Sequence, residues 1–340
     1  MKFNWSCITL KLIGTACVLL ALLPPTPPAH AAFTLEEVLD EPYFDASDIA
    51  KVREGGFGVA KIHEVSDREI AVAIACLVKG TREEALAPFL GDSLPFDAKL
   101  LQAQQLINTA QPEASFAAIK LHENDRDEIR HYLEAKPGVG LNLSAGEINA
   151  LQGLQGRAGA GQVEALLEDM LHARYQSYRK DGLAGAKPYA REKGEQVDPG
   201  RELRKTEENM QGLHELYPDF HNAWLRYPHK IPDIERDDYF WVKLTIDERP
   251  AFILSHRLIS SNEDVHLVGI RDYYVSHFFD VAQRVAAVTR LDSGKDIMIY
   301  IERAWVDYWS GFASLSKKIG HKVMTQQMEH LLQDHGICGR

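Results

Sequence analysis

Cysteine is scarce: four in 340 residues, none in a Cys-x-x-Cys pair. That excludes zinc-ribbon and thioredoxin-type frameworks. Basic residues are also in deficit, with 38 Lys plus Arg against 49 Asp plus Glu and a net charge of −11. Such a chain lacks the basic surface that sequence-independent nucleic-acid binding needs to displace counterions. There is no H-E-x-x-H helix, no EF-hand loop and no G-x-S-x-G elbow. The usual signatures of a zinc protease, a calcium loop and an α/β-hydrolase are therefore absent. Gly55, Gly56 and Gly58 precede a strand rather than a helix, so they make no phosphate loop. No metal and no cofactor is expected. Internal repeats and low-complexity tracts are missing too.

What is present is ordinary globular composition, 45% hydrophobic and 26% charged. The length suffices to bury a full core without staples.

Residues 1–31 have the pattern of a secretory signal peptide. Lys2 and Lys11 are basic, Leu12–Leu23 is apolar, Pro24–Pro28 stops a helix, and Ala29-His30-Ala31 supplies small residues at −3 and −1. Cleavage is expected before Ala32, giving a protein secreted across the inner membrane into the periplasm. The apolar run is short of the roughly 20 residues a span needs. Neither Cys7 nor Cys17 ends that run, which argues against a lipoprotein. Cleavage removes two lysines and no acid, leaving −13. It also leaves Cys76 in a strand core and Cys338 in the tail. Export permits them to pair, but the reading is one buried and one tail thiol.

Periodicity predicts a short acidic helix over 33–54, then a hairpin of Phe57–Val65 with Glu69–Val78. Thr81 with Glu84 forms a capping box for a helix ending near Leu90. Helices are expected over Ala98–Asn108, Asp125–Glu134, from the Ser144/Glu147 capping box to Leu154, over Val163–Lys180 and over Glu202–Leu216. From residue 239 the pattern alternates. Strands are expected over Tyr239–Ile246, Phe252–Ser260, Val265–His277 and Ile297–Trp309, with Phe278–Thr289 ambiguous. Short turns between them imply an antiparallel meander. A final helix from Gly311 to Asp334 carries Phe312, Leu315, Ile319, Val323, Met324, Met328, Leu331 and Leu332 at helical steps.

The expected fold class is α+β: a curved antiparallel sheet packed by a long C-terminal helix, with a large, mainly helical insertion. The hairpin with Thr81-Arg82-Glu83-Glu84-Ala85-Leu86, the strands from Phe240 to Trp309 and the helix from Gly311 resemble the START-like (helix-grip, polyketide cyclase and lipid-transfer) superfamily. The resemblance rests on element order and covers about half of the mature chain. It divides the chain into a signal peptide (1–31), an opening START-like part (32–95), a helical insertion (96–230) and a closing START-like part (231–340). Gly311-Phe312 with Ile319-Gly320-His321-Lys322-Val323-Met324 is also similar to segments of an uncharacterised family of secreted bacterial proteins. The superfamily resemblance implies a carrier or binder of an apolar small molecule and carries no catalytic residues.

Candidate ligand-binding residues are Trp241, His256, Tyr273, Tyr274, His277, Arg303, Trp305, Asp307 and Trp309. Ligand sites place a few polar groups in an apolar, aromatic setting. Strand alternation puts Arg303, Trp305, Asp307 and Trp309 on one face, Arg271, Tyr273 and Val275 on one, and Asp272, Tyr274 and Ser276 on another. The bland alternative is core aromatics with cross-strand salt bridges. His256 or His277 could act as a general base, but no nucleophile stands at motif spacing, and no catalytic residue is assigned. Lys317, Lys318, His321 and Lys322 form a basic cluster, either a solvated face or a contact with an anionic membrane or partner.

The functional expectation is an exported periplasmic protein holding a hydrophobic small molecule, a lipid among the candidates, between sheet and C-terminal helix. The alternatives are an envelope scaffold using its helical block and a cyclase- or hydrolase-like enzyme. No nucleic-acid partner is expected.

Overall fold

The computed structural model describes residues 33–39, 44–121, 125–156, 159–229, 234–261, 265–306 and 313–338. The expected signal peptide (1–31) and the candidates Asp307 and Trp309 lie outside them. Helices α1 (Leu35–Leu39) and α2 (Ala46–Arg53) precede the hairpin of β1 (Gly58–Lys61) and β2 (Glu69–Leu77). Helix α3 (Arg82–Leu90) follows, with both hydrogen bonds of the Thr81/Glu84 capping box formed.

Strand β3 (Leu101–Leu106) comes next, where helical periodicity was expected over 98–108. Leu100, Leu101 and Leu106 suggest a helix, but the backbone pairs with residues 240–244 instead. Tertiary pairing at a sheet edge overrides a weak local pattern. The helical block therefore begins after this strand.

That block contains α4 (Pro112–Phe116), α5 (Arg126–Leu133), α6 (Ala145–Gln152) and α7 (Ala160–Asp181). A two-residue ladder of β4 (Tyr189–Ala190) and β5 (Gln196–Val197) leads to α8 (Pro199–Glu208), α9 (Gln211–Leu216) and α10 (Pro218–Leu225). The meander then runs through β6 (Arg236–Ile246), β7 (Arg249–Ser261), β8 (Val265–Val275), β9 (Val281–Arg290) and β10 (Asp296–Trp305). Asp247 and Glu248, both with positive φ, turn β6 tightly into β7. The ambiguous stretch before residue 290 is thus a strand.

The result is α+β: an eight-stranded antiparallel sheet in the order β1-β2-β10-β9-β8-β7-β6-β3, followed by the long C-terminal helix α11 (Ala313–Asp334). The meander strands, buried along most of their length, are covered on both faces. One face packs against the helical block, with Tyr239, Trp241, Phe252, Leu254, Tyr273 and Tyr274 meeting Leu167, Leu171, Tyr175 and Tyr178 of α7. The opposite face meets α3 and α11, where Val72, Ile74, Cys76, Met298 and Tyr300 pack with Leu86, Phe89, Met324, Met328 and Leu332.

Helix α11 does not bury the whole apolar set expected of it. Met324, Met328 and Leu332 turn to the sheet, whereas Ile319 and Val323 are 56% and 44% exposed. The two groups are offset by one residue, about 100° around the helix, so one stripe cannot serve both. The basic cluster divides as well: Lys317 and His321 reach Glu64 at 2.6 and 2.7 Å, while Lys318 and Lys322 remain exposed. Beyond the helix, Cys338 forms a disulfide with Cys76 of β2 across 262 residues. This corrects the expectation of two unpaired thiols. The chain reverses after α11, and Ile337 accepts a hydrogen bond from the Lys79 amide beside the end of β2. That return brings the tail thiol to the strand core.

Candidate functional site

The consecutive trio Ser255-His256-Arg257 shows how the sheet sorts its polar groups. Alternation along β7 sends His256 to the helical block and Ser255 and Arg257 to the opposite face. There, Arg257 donates to the carbonyls of Phe89 and Gly91 at the end of α3, each at 2.8 Å.

On the helical-block side, a chain of hydrogen bonds runs through the core. Arg271 donates to the Tyr178 oxygen at 2.6 Å, so the Tyr178 hydroxyl proton faces His256 Nδ1 at 2.8 Å. His256 Nε2 then donates to Asp237 at 2.8 Å. Both ring nitrogens are engaged, and burial lowers the His256 pKa against the pull of Asp237. This imidazole is neutral and fully used, which leaves it no free nitrogen for a substrate. Arg271 also pairs with Glu207 and donates to the Trp224 carbonyl. Burial raises Glu207 to about 7, and Arg271 opposes the shift. Tyr178 lies flat on Tyr273, with ring centroids 3.8 Å apart and planes 5° off parallel.

The other candidates occupy the same side. The Trp241 indole donates to the Ser115 carbonyl at 2.9 Å. Arg174, paired with Glu147 at 2.6 Å, sits 4.3 Å from the Tyr274 ring centre. Arg303 donates to Glu69 at 2.8 Å, and Trp305 donates to Thr206 at the same distance. His277 lies just beyond β8. Its Nδ1 shares a hydrogen bond with Ser276 Oγ, its Nε2 is buried with no partner among the described residues, and burial pulls its pKa down to about 3. Seven of the nine candidates thus fall on described residues and gather in the layer under the helical block.

The expected face assignment in β8 fails at one point. The β7–β8 register pairs Leu254 with Tyr274 but Ser255 with Asp272, leaving Tyr273 as an extra residue. This bulge puts Tyr273 and Tyr274 together toward the helices and returns Asp272 and Val275 to the other face.

That other face holds a polar cluster that the strand reading did not select. Asp272 accepts from Ser255 at 2.6 Å and from Arg284 on both oxygens at 2.7 Å. Phe96 covers the guanidinium at 4.7 Å. Tyr300 is buried against Phe89 of α3, with centroids 5.7 Å apart. Two residues on, Glu302 shares this face, and burial raises its carboxyl to about 7 while Arg284 opposes the shift. An unusual carboxyl beside a charge partner in an apolar setting marks a candidate site. The signal in the sequence was Glu302 itself, an acid at an inward position of an otherwise apolar alternation.

Among the described residues no group of three or more His, Cys, Asp or Glu is placed to hold a metal ion, and no helix is long and apolar enough to cross a membrane. In comparisons with known proteins, the chain matches no family model and no curated protein.

Proposed function

We propose that the protein is exported to the periplasm and binds or carries a hydrophobic small molecule between the sheet and the C-terminal helix, in a helix-grip arrangement with a helical insertion. The observation that carries this reading is the Asp272–Arg284–Glu302 cluster, set among the apolar residues of the face that α11 packs against. Polar groups that fix orientation within an apolar lining are the composition of a ligand site. The sheet order supports the arrangement: β2 and β10 are neighbours, as are β3 and β6, so the helical segment 107–235 joins two adjacent strands at one edge. The Cys76–Cys338 disulfide suits an oxidising compartment.

The driving force is burial of apolar surface, worth about 25 cal/mol per Å² before association costs. Organic extraction of the purified mature protein followed by mass spectrometry tests the reading. A co-purifying amphiphile at near-stoichiometric yield is the expected result. An extract with no such species, together with no uptake of an apolar dye, would sink it.

A further inference from the structure

Arg284 and Glu302 are directly opposed in the β9–β10 register. Oppositely charged residues in that relation lie within reach of each other and commonly pair. Here they do not. The Arg284 guanidinium turns along the face to both oxygens of Asp272, and among the described residues Glu302 has neither a hydrogen bond nor an ion pair. Its neighbours on the same face of β10, Met298, Tyr300 and Ala304, are buried, whereas Glu302 is part-exposed. The fold leaves an approach to one acid and closes over the residues around it.

The charges do not balance. Above pH 7, where Glu302 is ionised despite its raised pKa, Asp272 and Glu302 together carry one more negative charge than Arg284 neutralises, and Ser255 and Tyr300 bring none. Neutral groups alone do not cancel that excess. From this geometry, and resting on the carrier reading above, we infer that Glu302 anchors the cationic amine head of an otherwise apolar ligand. An ammonium offers three donors and a positive charge to an acceptor that has no other partner among the described residues. The tail lies along Phe279 and Val306, which are only partly covered and pack against the buried core that holds Val275, Ala282 and Ala304. A carboxylate head would meet like charge from Glu302 and Asp272. A hydroxyl would satisfy one hydrogen bond and leave the charge in place.

Three probes of one chain length separate these cases: dodecylamine, dodecanol and dodecanoate, each titrated calorimetrically into the purified, disulfide-bonded protein at pH 8 below its aggregation limit. The amine is expected to bind at least tenfold more tightly than the alcohol, and the carboxylate most weakly. Glu302→Gln is expected to bring the amine down to the alcohol's affinity while leaving the alcohol within about twofold. Equal binding of amine and alcohol by the wild-type protein overturns the inference and leaves the carrier reading standing, as does an amine affinity that Glu302→Gln does not change. Binding of none of the three removes both. The wild-type series decides without the variant, so a folding defect in Glu302→Gln does not shield the inference.

Discussion

Tyr178 of α7 lies flat against Tyr273 of β8, 3.8 Å from ring centre to ring centre, and both rings are fully buried. This stack joins the helical block to the sheet at its middle, with Arg271 and His256 held at its edge. The layer is core, and its energetics follow from packing. Tyr273→Ala is expected to cost about 3–5 kcal/mol, the range for truncating a buried aromatic. Tyr178→Phe keeps the stack but strands the Arg271 donor and His256 Nδ1, at a cost of about 1–3 kcal/mol. Urea unfolding of both variants checks the pair. A Tyr273→Ala protein as stable as wild type would show that the helical block is not packed on the sheet as described.

The disulfide predicts a different kind of loss. Cys76 and Cys338 close a loop across 262 residues, and long loops gain most from closure in the chain-entropy account. Reduction, or Cys338→Ser, is expected to lower unfolding free energy by about 2–5 kcal/mol. Because α11 is held to the sheet mainly by Met324, Met328 and Leu332, its amides should gain the most hydrogen exchange. Free-thiol labelling of the native exported protein should find neither cysteine reactive; two titratable thiols would contradict the pairing.

His277 gives the fold an acid sensitivity whose sign can be worked out. Burial holds its folded pKa at about 3, whereas an unfolded histidine titrates near 6.5. Between those values the unfolded chain binds a proton that the folded chain does not. Stability from this residue is therefore complete above about pH 6.5 and falls as the pH drops toward 3. At pH 5 the loss is about 2 kcal/mol. Unfolding free energies of wild type and His277→Gln at pH 7 and pH 5 isolate this contribution from that of the carboxylates. The wild-type protein should lose about 2 kcal/mol more than the variant between the two pH values, and equal losses would show that the ring is not held neutral.

Much of this was legible from residue pattern, and the misses have identifiable causes. The Thr81 and Ser144 capping boxes located two helices because a cap is local chemistry, complete within four residues. Six of the sheet's eight strands followed from alternation and turns. Strand β3 did not, because its pairing partner stands far away at residues 240–244. Residue type, aromatic and charged, points to the candidate residues but cannot tell which side of a sheet will carry the helical segment 107–235. The β8 bulge then moved Tyr274 across the sheet relative to Asp272, a shift of one residue that no periodicity announces. Residue type does not single out Glu302, because its lack of a partner among the described residues follows from Arg284 pairing with Asp272, which shows only with all three in place.

Gly269 tests how closely the helical block is fitted. It sits within β8, where glycine is ordinarily unfavourable. A methyl group there would fall 1.5 Å from Cζ3 of Trp224, which α10 presses onto the strand. Trp224 is 1% exposed, and its carbonyl accepts from Arg271, so the ring cannot slide aside without disturbing the Arg271–Glu207 pair. Gly269→Ala is therefore expected to destabilise by about 2–4 kcal/mol, from the upper part of the usual overpacking range to just beyond it, despite alanine's better strand and helix propensity. A compensating Trp224→Leu in the same chain should recover part of that loss, since the two sites share one contact. The double variant as unstable as the sum of the singles would mean that Trp224 does not rest on Gly269.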